Sequence, residues 1–154
     1  MPATALIEKL DERGAEYELL PHPHTETAAA EARVLGVPPE WTAKTVILRA
    51  PTGFVRAIVP ASRRVDLARV RSVLGVDDVA LATEPELVGA YPEFELGAVP
   101  PFDTSYGGEV VVDLHLCAAD HVVFEAGTHE ESIRMRTRDL IDLSDARLAE
   151  ICEH

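Results

Sequence analysis

The stretch "WTAKTVILRA", Trp41 to Ala50, decides how this chain is read. It is an apolar run of strand-forming residues that opens on a lysine, one of only two in the chain, the other being Lys9. Side chains alternate across a strand. Lys44 therefore shares a face with Val46, Leu48 and Ala50, while Thr45, Ile47 and Arg49 share the other. Arg49 marks its own face as the wetter one, so Lys44 points with the aliphatic residues. A buried ammonium is costly unless it is paired or faces a polar cavity. By pattern alone two readings stay open: a strand-end lysine that snorkels to water, or a cation serving a site.

Working outward, "FVRAIVP" follows after "PTG", whose proline and glycine supply a hairpin turn. Upstream, Thr25 or Thr27 caps an alanine-rich helix, "AAAEARVLG", that Gly36 stops. A first helix begins at Thr4 and ends at Gly14, and "YELL" (Tyr17–Leu20) is a short strand. Downstream, Asp66 caps "LARVRSVLG", "DVALA" is a brief strand, and Thr83 with Glu86 forms a capping box. "FELGAVPPFDTSYGG" lacks any period and is expected to be a long loop. "EVVVD", "HVVFEAG" and "SIRMR" are strands, and Thr137 caps a last helical region, "RDLIDLSDARLAEICEH". Helices and strands mix with hairpins and no βαβ repeat, which predicts an α+β fold with a mixed, mostly antiparallel sheet. Residues 1–154 fit one domain.

Composition excludes several classes. Hydrophobic residues make up 47% and charged residues 27%, an ordinary globular balance. No apolar run approaches a membrane span, and the start, "MPATALIEKLDERG", lacks the apolar core of an export signal. Cys117 and Cys152 fit neither a zinc pattern nor a disulfide framework, so the expected compartment is the reducing cytoplasm. The net charge of −13 argues against a protein that grips a duplex electrostatically. Any nucleic-acid contact must be local, made by a patch such as Arg63, Arg64, Arg69 and Arg71, though on charge alone these read first as a solvated helix face.

Two loops carry further signals. "GAVPPFD" holds Gly97 and Pro101 in G-x-x-x-P spacing, a pattern able to aim backbone N–H groups at an oxygen, though most such loops only connect. "EAGTHEES" places Gly127 and His129 in a tight link that either lines a pocket or forms an exposed turn. His22 and His24 lack a third ligand and read as loop residues, so no metal is expected. No nucleophile elbow, P-loop or H-E-x-x-H occurs, and Ser62, Ser72, Ser105, Ser132 and Ser144 stand in no activating motif.

Together, "AAEARVLGVPPEWTAKTVILRA", "VPASRRVDLARVRSVLG", "GAVPPF" and "FEAGTHEESIRMRTRDLIDL" resemble, in order, the YbaK family of aminoacyl-tRNA deacylases. These are relatives of the editing domain inserted in bacterial prolyl-tRNA synthetases. The resemblance runs from about Leu6 to Leu143. Lys44 falls on the family lysine. Gly97, Ala98, Val99, Pro100 and Pro101 fall on the G-x-x-x-P loop, and Gly127 and His129 on the glycine-containing pocket loop. Where much of the family continues with glycine, this chain has Asp103. The resemblance implies a partly barrel-like sheet with surrounding helices. It also implies hydrolysis, in trans and without a cofactor, of the ester joining a wrong amino acid to a tRNA 3′ end. Lys44 would be catalytic and the two loops substrate-binding. A monomer working beside an aminoacyl-tRNA synthetase and away from membranes is expected. The rival reading is a non-catalytic module of the same fold that binds a nucleotide or amino-acid derivative.

Overall fold

The computed structural model describes residues 4–102 and 108–153. Asp103 and Ser105 lie outside the described residues. In chain order the elements are α1 (Thr4–Glu12), β1 (Tyr17–Pro21), α2 (Ala28–Leu35), β2 (Ala43–Ala50), β3 (Gly53–Pro60), α3 (Leu67–Leu74), β4 (Ala80–Leu81), α4 (Glu84–Ala90), β5 (Glu109–Asp113), β6 (His121–Glu125), β7 (Glu131–Arg136), α5 (Thr137–Ser144) and β8 (Arg147–Ala149). Short 3-10 turns precede β2 and follow β5. Among the described residues no helix is long and apolar enough to cross a membrane.

The fold is α+β, with two sheets. One is antiparallel, in the order β1-β7-β6; the other is mixed, in the order β4-β2-β3-β5-β8. β2 and β3 form the expected hairpin, with Ala50 opposite Gly53. β5 joins β3, and β8 joins β5, in parallel. A single bridge between Thr42 and Val123 links the sheets. Among the described residues neither sheet closes into a full barrel.

Alternation sorts the cores. Ile58, Val110 and Val112 face the first sheet and meet Val122, Phe124, Ile133 and Met135, with Leu6 and Leu10 of α1 and Leu140 of α5. Val55, Ala57, Val59 and Val111 face the other way, onto Val70 of α3 and Ile151. The face of Thr45, Ile47 and Arg49 is wet at the Arg49 end, where the arginine marked it. Ile47 packs with Tyr91, Phe94 and Val99, because α4 and the segment after it fold across the sheet.

The caps follow local chemistry. Thr27 caps α2, Asp66 caps α3, and Thr83 with Glu86 completes a capping box on α4. Gly36 and Gly75 end their helices in left-handed conformation. Thr137 does not cap α5. Its hydroxyl donates to the Ala119 carbonyl, and the capping position falls on Arg136, which makes no side-chain cap bond. Nor does the last helix run to the end of the chain: Asp145 turns left-handed at φ 52°, and β8 follows.

Asp113 holds this chain end in place. It is fully buried, and its carboxylate accepts from Ile151 N at 2.8 Å, His115 N at 2.9 Å and His115 Nδ1 at 2.7 Å. Burial pushes its pKa up, but the hydrogen bonds from Ile151, His115 and the Cys152 thiol together outweigh that and hold it below the usual value of 3.8. Its stabilising effect is therefore full above the unfolded-state value and lost as the pH falls through the lower folded value. Asp113→Ala strands buried donors and is expected to cost about 1–3 kcal/mol. Denaturant unfolding at neutral pH checks this, and an unchanged midpoint would show that the clasp contributes nothing.

Candidate functional site

A cavity of about 380 Å³ lies where the start of α2, the start of β2 and the end of β6 meet. Its walls are mostly small: Thr27, Ala28, Ala29, Ala43, Thr45, Ala61, Gly97 and Val99. Three ionisable side chains interrupt them: Glu31, Lys44 and Glu125. A larger depression of about 1080 Å³, near Thr52, Glu109 and Arg147, contains none of the candidate residues. Among its lining residues Arg147 and Glu109 form an ion pair at 3.0 Å.

Lys44 lies opposite Val59 in the β2–β3 ladder, half-buried at the end of the aliphatic face. Burial lowers its pKa; the nearby Cys152 thiol acts in the opposite sense, and the Arg64 charge adds to the lowering. Among the described residues no ion pair joins Lys44 to Glu31 or Glu125.

The two candidate loops are laced together behind the cavity wall. Glu95 N donates to the Gly127 carbonyl at 2.9 Å, His129 N donates to Glu95 Oε2 at 3.0 Å, and His129 Nε2 donates to the Leu96 carbonyl at 2.6 Å. Gly97 has φ 82°, and an added Cβ would sit 3.4 Å from the His129 ring. Gly127 is likewise left-handed, at φ 105°. Of the loop residues singled out from sequence, Gly97 and Val99 touch the cavity. Ala98, Pro100 and Pro101 are buried beside it, and Gly127 and His129 stand one layer back. His129 is 5% exposed, and its geometry is that of a brace between loops.

Sequence reasoning missed the carboxyls. Glu31 is 0% exposed, on the inward face of α2 one residue before buried Ala32. Burial raises its pKa to about 7, against the opposing effect of a hydrogen bond from Ser132 Oγ to Glu31 Oε2. Its other oxygen, Oε1, is buried without a partner. Ser132 Oγ also meets His22 Nε2 at 2.8 Å, and His22 Nδ1 donates to the Pro23 carbonyl at 2.7 Å. Thus a histidine and a serine that carried no motif stand directly behind a cavity carboxyl. Glu125 is 7% exposed. Burial, reinforced by repulsion from Glu31, Glu95 and Glu26, raises its pKa to about 9. His129 Nδ1 lies 3.0 Å from Glu125 Oε2, but the two are misaligned for a hydrogen bond. The one visible signal was Glu31's place on the apolar stripe of α2, in line with Ala28, Ala32 and Leu35.

Asp113, His115 and Cys152 bring potential metal-ligating atoms within 4.8 Å of one another. The Asp113 oxygens are already taken up by the hydrogen bonds that pin the chain end, which makes the cluster a structural clasp.

Comparison with known proteins follows this geometry. A model of the aminoacyl-tRNA editing domain matches residues 22–143, well over half of the chain. A crystal structure of a candidate trans-editing enzyme for prolyl tRNA synthetase shares the fold, with TM-score 0.89, 23% identity, and coverage of 99% of this chain and 98% of the other. A hypothetical protein of known structure gives TM-score 0.88 at 26% identity, over 97% and 99% of the two chains. A scaffold protein used to present grafted epitopes gives 0.87 at 22%, over 99% and 97%. No curated protein matches the sequence. The small-walled cavity beside Lys44 and the Gly97 loop thus sits within the matched region, and the chain belongs to the aminoacyl-tRNA editing domain family.

Proposed function

We propose that this protein hydrolyses the ester of a mischarged aminoacyl-tRNA in trans, with residues 1–154 acting as one editing domain. The observation that carries this reading is the cavity itself. It is sized for a small amino acid and its ester, it is walled by alanine, glycine and threonine, and its one cation is Lys44. An aminoacyl ester is already activated, so positioning and charge stabilisation account for much of the catalysis required. Lys44 holds the terminal phosphate or polarises the carbonyl. The backbone of the Gly97–Pro101 loop, stiffened by its prolines and braced by His129, orients the carbonyl oxygen as charge develops. The water-derived product is the free amino acid, and the tRNA leaves with its 3′-hydroxyl. In such a pocket one methylene more or less in the substrate side chain changes discrimination by about 1–3 kcal/mol. A prolyl-tRNA synthetase is the natural partner by likeness to the candidate trans-editing enzyme, and it would supply the tRNA affinity that an acidic surface lacks.

Three outcomes test this reading. Lys44→Ala should lower deacylation of a mischarged-tRNA panel about 100- to 1,000-fold, the size of effect seen when a charge-stabilising group is removed. The fold should survive, because a half-buried cation is being lost, not core packing. Parental rates would reduce Lys44 to a strand-end residue, and tight binding without turnover by the parent would favour a non-catalytic module. Gly97→Ala forces a side chain onto a left-handed residue beside the His129 ring and should cost activity out of proportion to stability, read by kinetics beside thermal unfolding. Finally, at a net charge of −13, tRNA affinity should be weak and only shallowly salt-dependent. Activity should then persist on a short acceptor-stem mimic. A steep salt slope would reveal a basic groove that neutralises many phosphates.

A further inference from the structure

Among the described residues of the cavity, three groups titrate, and only one is suited to take a proton. Lys44 carries its own proton. Burial among other carboxyls raises the Glu125 pKa to about 9, further from neutral than that of Glu31. Glu31 remains, and its geometry is specific. Glu31 lines the cavity, its Oε1 is buried and unpartnered, and its Oε2 is tied to Ser132 Oγ. Ser132 in turn meets His22 Nε2 at 2.8 Å, and His22, part-exposed, carries the chain to the surface.

We propose that Glu31 is the general base of the hydrolysis, and that Ser132 and His22 form the path by which its proton leaves. This rests on the ester-hydrolase reading above. Water gives a proton to Glu31 Oε1 as its oxygen bonds to the ester carbonyl carbon. The carbon–O3′ bond then breaks, its electron pair staying on O3′, and Glu31 returns the proton to that oxygen. The products so far are a carboxylic acid and the tRNA hydroxyl. At neutral pH the new acid loses its proton, which Glu31 takes up, so each turnover leaves one proton to export.

The chain behind Glu31 can carry it. A half-turn of the carboxyl about Cγ–Cδ presents the proton to Ser132 Oγ. Ser132 passes its own hydroxyl proton to His22 Nε2 and accepts the one from Glu31. In both states His22 Nδ1–H donates to the Pro23 carbonyl, which fixes the ring so that Nε2 faces the serine. Glu31 then stands again as a carboxylate that accepts from Ser132, and the part-exposed imidazolium swings away from Ser132 to release its Nε2 proton to water. A base works best when its pKa lies near the working pH, and burial puts Glu31 at about 7.

The charged and titratable groups facing Glu31 across the cavity are Glu125 from β6 and Lys44 from β2; from β7 Ser132 faces it, with His22 behind. The experiment is a set of pH–rate profiles on the mischarged-tRNA panel for the parent, Glu31→Gln, Glu31→Asp, Ser132→Ala and His22→Gln. The parent rate should rise with pH along an acid limb set by Glu31. Glu31→Gln should fall about 100- to 10,000-fold and lose that limb, while Glu31→Asp, slower than the parent, should keep one. The Ser132 hydrogen bond lowers the Glu31 pKa, so Ser132→Ala should move the limb to higher pH, which a purely structural serine would not do. His22→Gln should slow turnover without removing the limb.

If the parent hydrolyses the panel and Glu31→Gln keeps its rate or its limb, the base assignment is wrong while the ester-hydrolase reading stands. An unmoved limb in Ser132→Ala overturns the relay. A parent inert on every substrate removes the hydrolase reading and the base with it.

Discussion

Strand β2 is covered on both faces, and the rest of the molecule is arranged around that constraint. One face lies against α3 through Leu48, with Val70 and Ile151 completing the cluster; the other lies against Tyr91 and Phe94 through Ile47. A two-sided strand must be apolar along its middle, which confines polar residues to its ends. Arg49 escapes to solvent at one end. At the other end Lys44 meets the cavity, because the cover is incomplete where α2 and β6 approach without filling the gap with large side chains. The cavity is thus what remains when a doubly covered strand runs out of cover.

That gap holds carboxyls with no cation paired to them. Burying a carboxylate without a partner is costly, and the group responds by holding its proton more tightly. Glu31 and Glu125 answer the same condition to different degrees. Glu31 has one serine hydrogen bond working against desolvation; at Glu125, repulsion from other carboxyls adds to desolvation. Two chemically identical side chains in one cavity therefore have their pKa values raised to different extents, to about 7 and about 9.

The loops that complete the cavity owe their shape to hydrogen bonds made away from it. The bonds from His129 to Glu95 and Leu96, and from Glu95 to Gly127, join two segments distant in sequence. Left-handed glycines at both places let the backbones approach. A site built this way is positioned from behind, so a residue can matter to it without touching what is bound.

The sequence alone determined most of the local structure. Threonine and aspartate caps, glycine stops, the Pro-Thr-Gly hairpin and alternating apolar residues all act over a few residues and leave a local signature. It also pointed to Lys44, because an ammonium at the mouth of an aliphatic strand conflicts with burial, and to Gly97 and Gly127, because the family resemblance ran through them. The chain end was misread for a comparable reason: "RDLIDLSDARLAEICEH" has helical spacing throughout, but the parallel pairing with β5 and the Asp113 clasp pull its second half into a strand. Thr137 looked like a cap because nothing nearby in sequence revealed the Ala119 carbonyl that takes its hydroxyl. Only the tertiary structure decided that Glu31, Ser132 and His22 form one chain and that burial raises the Glu125 pKa. Those properties depend on burial and on contacts between residues about a hundred positions apart, as with Ser132 and Glu31, and neither periodicity nor spacing records which distant carboxyls will share a dry space.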